Sequence, residues 1–84
     1  MAIDPLDPTP LWEQLAAIVR EQIQAGDLQP RQLVPSESAL QNEYDVSRGT
    51  VRRAMAALGE EGWVVTIQGR GTYVAPQESW PKDE

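Results

Sequence analysis

Apolar residues recur along this chain at two spacings, and the change from one to the other separates a helical part from a hairpin part. From Leu11 onward, Leu11, Trp12, Leu15, Ala16, Ile18, Val19 and Ile23 fall within about 160° of one face at about 100° per residue, which predicts an amphipathic helix. Thr9 before Pro10 reads as its N-cap with proline in the first turn; Glu13 lies near the positive end of the dipole and Gly26 closes the helix. Gln29-Pro30 is a turn, and Gln32-Leu33-Val34 leaves room only for a short strand because Pro35 stops it. Ser36 caps a second helix, Glu37 to Glu43, with Ala39, Leu40 and Tyr44 on its inner side. Asp45-Val46 turns the chain, and Ser47 is placed to cap a third helix from Arg48 to about Glu60, closed by Gly62. Val51, Ala54, Met55 and Leu58 form its buried stripe.

After Gly62 the composition becomes β-branched and aromatic, in Trp63 to Ile67 and again in Thr72 to Val74. Gln68-Gly69-Arg70-Gly71 between these runs carries two glycines able to take positive φ, which predicts a hairpin with a basic tip. Two short helices joined by about three residues have the helix-turn-helix spacing. The expected fold is therefore α+β: a winged helix-turn-helix of three helices with a small antiparallel β-hairpin wing. Residues 1–8 and 77–84 lack periodicity and read as tails, leaving 9–76 as the domain.

An 84-residue chain has room for one small core and no second folded unit. Without cysteine or histidine it has neither disulfides nor the common transition-metal ligands, so no metal or other cofactor is expected. The absence of paired inward carboxylates and of room for a pocket argues against an enzyme. No apolar run can span a bilayer and no signal peptide precedes the domain, so the expected location is cytoplasmic, without membrane contact.

The net charge of −6 opposes nucleic-acid binding when taken as an average. Its distribution does not. Between Val46 and Ala75 four arginines (Arg48, Arg52, Arg53, Arg70) face two acids (Glu60, Glu61), while the remainder carries three basic residues against eleven acids. One face can be basic while the rest repels DNA and orients the approach.

With Val51 and Leu58 set inward, the third helix turns Gly49, Arg52, Arg53 and Ala56 outward, flanked by Arg48 and Thr50. Long guanidinium donors beside residues with almost no side chain suit a helix lying deep in a major groove. Arg52 can there take guanine O6 and N7 as a bidentate pair. Arg53 and the hydroxyls of Ser47 and Thr50 are placed for phosphate oxygens. Arg70 between Gly69 and Gly71 has no packing explanation and suits a minor groove or a phosphate. Each residue alone also fits a solvated face or a simple cap. Their combination at the start of the second helix of a helix-turn-helix points to DNA. Glu37 reads as a dipole partner for the second helix, and Trp12, Tyr44, Trp63 and Tyr73 as packing aromatics.

Over about Pro10 to Val74 these residues resemble the DNA-binding domain of the GntR family of bacterial regulators. Pro35-Ser36-Glu37 is similar to the family's entry to the second helix, Val46 to Met55 to its recognition-helix signature, and Gly69-Arg70-Gly71-Thr72-Tyr73-Val74 to its wing. The resemblance implies DNA contacts from Ser47, Arg48, Thr50, Arg52, Gly69 and Arg70. Ser38 stands where the family usually has a DNA-contacting arginine, so that contact is weakened or lost. Arg31 and Asp45 stand where glycine is usual; Arg31 matters little provided its φ is negative, and Asp45 tolerates αL. Family members normally continue into a C-terminal ligand-binding and dimerising domain, for which only ten residues follow the wing here; either the chain is a fragment of a longer regulator or the full protein works without an effector domain. The expected partner is a palindromic double-stranded DNA operator, bound by a homodimer. The alternative reading is a winged-helix module that binds protein.

Overall fold

The computed structural model describes residues 3–81. Three helices, α1 (Leu11–Ala25), α2 (Glu37–Tyr44) and α3 (Arg48–Glu61), precede two strands, β1 (Val64–Ile67) and β2 (Gly71–Val74), and a final 3₁₀ turn (Gln77–Ser79). The strands are antiparallel, with Val64 opposite Val74 and Ile67 opposite Gly71. The expected stub near Leu33 adds a third, minimal strand: Leu33 bridges Tyr73, and the N–H groups of Arg31 and Val34 donate to Val74 and Thr72. This is the winged helix-turn-helix read from the sequence.

The core lies where the apolar stripes converge. Leu15, Val19 and Ile23 from α1, Leu40 from α2, Val51, Ala54 and Leu58 from α3, and Trp63, Val64 and Val74 from the wing are all buried. These side chains hold α3 between α1 and the wing, leaving its opposite side in solvent. Gly26 and Gly62 close α1 and α3 at φ 89° and 96°, the left-handed conformation that a C-terminal cap requires.

Several local expectations change. Thr9 does not cap α1: Pro10 occupies the cap position, with no side-chain cap bond, and its carbonyl accepts from the Glu13 and Gln14 N–H groups. Thr9 is bound elsewhere, its N–H on Asp7 at 2.8 Å and its carbonyl on the Gln14 side chain at 2.8 Å. Gln14 also exchanges two bonds with the Asp4 backbone, and Ile3 packs on the core, so residues 3–8 form a turned segment laid on α1. At the other end Trp80 lies against Trp63, ring centroids 5.5 Å apart, with its Nε1–H donating to the Ala75 carbonyl at 2.9 Å. A tail rich in polar residues gave no periodic signal for that single aromatic anchor. Lys82 to Glu84, the end of the expected tail, lie outside the described residues.

Arg31 has φ 71°, so the negative angle under which it would matter little is not the one adopted. Its N–H donates to Val74 while the Gln32 carbonyl accepts from the Val74 N–H, and this pairing sets the chain direction there whatever residue is present. Asp45 takes φ 54°, the αL conformation its side chain tolerates.

Candidate nucleic-acid interface

α2 and α3 are separated by Asp45, Val46 and Ser47. Ser47 caps α3: its Oγ accepts from the Thr50 N–H at 3.1 Å and lies 3.0 Å from the Thr50 hydroxyl, to which it donates. Both functions of Ser47 are thereby used within the chain. The Thr50 hydroxyl, already accepting from Ser47, has its own hydrogen left to donate outward. Ser47 and Thr50 therefore sit together at the helix start, as expected, but they are not equivalent donors.

Gly49 is exposed on the first turn of α3, and a Cβ built on it meets nothing nearer than the Ser47 Oγ at 3.9 Å. Nothing in the chain's own packing requires glycine there. Arg48, Arg52, Arg53 and Ala56 are also exposed, and Thr50 is half-buried. The outward face predicted from the helical wheel is thus in solvent.

Arg48 and Arg52 are not free, however. Both converge on Glu37 in the first turn of α2: the Arg52 Nε donates to Oε2 at 2.7 Å, its Nη2 lies 3.5 Å from Oε1, and the Arg48 Nε lies 3.3 Å from Oε1. The carboxylate sits in the first turn of α2, as a dipole partner would, but its direct partners are the two arginines. Sequence reasoning missed this because no local spacing links the first turn of one helix to an exposed face of the next. Glu37 takes Nε and, at longer range, one hydrogen of Nη2, so the end-on edge formed by Nη1 and the second Nη2 hydrogen keeps its donors and presents a planar fork. The pairs are solvent-exposed, so each contributes about 0–1 kcal/mol and orients the arginine more than it anchors it.

Arg53 points away from this cluster. Its guanidinium carbon lies 4.7 Å from the centroid of the Trp12 ring, on the α1 side of α3. Ser38, in the first turn of α2, is exposed and its hydroxyl has no hydrogen-bond partner among the described residues.

The wing lies on the other flank. The Arg70 N–H donates to the Ile67 carbonyl at 2.9 Å, closing a turn in which Gly69, at φ 81°, occupies a position that disfavours any side chain. Gly71, at φ 124°, begins the return strand, where a Cβ would press on Leu33. Arg70 is exposed at this tip and lines, with Arg52, Glu37, Ser36 and Ala56, one groove of about 750 Å³ between the wing and α3. The site residues named from sequence thus form a ridge, Ser47 to Ala56, with one arginine on the far side of the wing groove. Ser38 stands beside Glu37, and Arg53 is on the opposite slope.

Residues 11–74 match the sequence profile of "Bacterial regulatory proteins, gntR family". The chain belongs to the GntR family. Among curated proteins the GntR-type domain is 52% identical over 65 residues to the mannosyl-D-glycerate transport/metabolism system repressor MngR of Escherichia coli strain K12, covering 77% of this chain and 27% of that protein. It is 37% identical over 75 residues to the transcriptional repressor NagR of Bacillus subtilis, covering 89% of this chain and 31% of that one. The chain therefore spans about a quarter to a third of the length of these relatives. Among solved structures, the DNA-binding domain of AraR in complex with operator ORX1 superimposes with a TM-score of 0.81 at 32% identity, over 89% of this chain and 93% of that one. YtrA from Sulfolobus acidocaldarius, a GntR-family transcription factor, gives 0.81 at 34% identity, over 88% and 78% of the two chains. Family and fold agree: this is a GntR winged-helix DNA-binding domain. Among the described residues no helix is long and apolar enough to cross a membrane.

Proposed function

We propose that this domain reads a palindromic operator as a pair of copies on half-sites about one helical turn apart, and that the regulator containing it acts as a repressor. α3 lies in the major groove, and the wing tip Gly69-Arg70-Gly71 reaches the adjacent minor groove or backbone. Arg52 reads a guanine edge with the Nη fork that Glu37 leaves open, and Arg48 and the Thr50 hydroxyl meet phosphate. The domain itself carries out recognition and no catalysis. Supporting the partner are the AraR domain's operator complexes and the names of MngR and NagR as repressors.

The observation that carries the reading is Gly49. A glycine in the first turn of an exposed helix sacrifices helix propensity, and here no contact within the chain demands it. Beside three arginines, it is the residue that lets a helix backbone approach a groove floor. Selection of bound duplexes from a random pool, followed by salt titration of the selected sequence, tests the proposal. A two-fold symmetric motif whose affinity falls log-linearly with salt is expected. No enrichment, with no binding to mixed duplex at low salt, refutes it and leaves a protein partner as the explanation of the exposed face.

A further inference from the structure

The two slopes of α3 differ in what they offer. On the wing side Arg70 stands alone at a loop tip. On the α1 side, a shallow cleft is lined by Trp12, Arg53, Ala56, Ala57 and Glu60. Ala56 lines this cleft and the wing groove alike, so the exposed ridge of α3 divides them. A helix lying in a major groove has a phosphate strand along each side. A cation is therefore called for on both slopes.

Arg53 is the arginine in that cleft, and it pairs with no carboxylate among the described residues, unlike Arg48, Arg52 and Arg20. What places it is Trp12, whose ring lies 4.7 Å beneath the guanidinium carbon while the ring's inner side packs against the core. The other two indoles have spent their N–H groups, Trp63 on Glu61 and Trp80 on the Ala75 carbonyl. The Trp12 Nε1–H donates to no acceptor among the described residues, although the ring is only half-buried. A purely packing role at this position would be served by any large apolar residue. A flat ring that stacks a guanidinium without consuming its donors keeps all five N–H groups of Arg53 available. Glu60, at the far end of the cleft, repels phosphate there and confines the contact to the first turns of α3.

We infer that Trp12 is a positioning residue for DNA-backbone binding: its ring holds the Arg53 guanidinium over the cleft between α1 and α3. That cleft is then the phosphate-binding counterpart of the wing. This rests on the operator-binding reading above and adds α1 to the elements that meet DNA.

The test is a thermodynamic cycle on the whole domain, using fluorescence anisotropy with the pool-selected duplex and a scrambled control, and circular dichroism to confirm folding. Arg53→Ala weakens both duplexes alike and reduces the salt slope by about one. Trp12→Leu, with Arg53 intact, weakens binding about two- to fivefold by releasing the guanidinium, and Trp12→Phe, which keeps a ring, weakens it less. In the Arg53→Ala background, Trp12→Leu has no further effect. Equal losses from Trp12→Leu in both backgrounds would show a merely structural ring and overturn the inference while leaving operator binding intact. Failure of the parent domain to show salt-dependent binding overturns both.

Discussion

Replacing Gly49 by alanine separates what α3 needs to fold from what it needs to approach DNA. An alanine Cβ at this position has open space, the Ser47 Oγ at 3.9 Å being its nearest neighbour, and the residue has ordinary helical geometry rather than a positive φ. Alanine is favoured over glycine by about 1 kcal/mol in a helix interior. As the second residue of α3, Gly49 realises roughly half of that, or ~0.5 kcal/mol. For a domain of this size that raises Tm by about 2–4 °C. On DNA the sign reverses. A methyl group forced into a close-packed contact costs about 1–3 kcal/mol, a loss of roughly five- to 150-fold in affinity. Calorimetry reads the first effect and anisotropy on the selected duplex the second. Opposite signs exclude misfolding as the cause of weak binding. An alanine variant that is more stable yet binds as tightly as the parent would refute the close approach of α3 at Gly49.

Three further outcomes follow from the geometry. Glu37→Gln removes two exposed ion pairs and a favourable dipole contact, lowering stability by about 0.5–1.5 kcal/mol in urea denaturation. On DNA it raises affinity for scrambled duplex, because one repelling charge is gone, and narrows the ratio between selected and scrambled sequence; an unchanged ratio would show that Arg52 is not oriented by Glu37. Arg31→Gly relieves a left-handed conformation at φ 71°, and the net gain after glycine's greater unfolded-state entropy is about 0.5–1 kcal/mol, read as a higher urea midpoint at constant slope. Trp80→Ala strips the aromatic contact on Trp63 and the bond to Ala75, lowering stability by about 1–3 kcal/mol; a change within 0.3 kcal/mol, roughly the scatter of such measurements, would mean that the C-terminal turn does not brace the wing.

Much of this fold is legible in the sequence because its signals are local. The stripe from Leu11 to Ile23, the Ser36 and Ser47 caps, Gly26 and Gly62, and the glycines around Arg70 each act within a few residues through periodicity, capping and permitted φ. Those are interactions that a short segment makes with itself. The outward face of Gly49, Arg52, Arg53 and Ala56 follows in the same way once Val51 and Leu58 are known to point inward.

What only the tertiary structure decided are the interactions between segments. Arg31 is held in the left-handed region by pairing with Val74, which no neighbour in sequence announces. Glu37 meets Arg52, 15 residues away, only because the turn at Asp45 folds α3 back across the start of α2. Trp12 and Arg53, like Trp63 and Trp80, are joined by packing around a shared core. Local propensity determines which elements form and which face is apolar. The partners of the polar side chains on those faces depend on how the elements dock, and docking is a property of the whole chain.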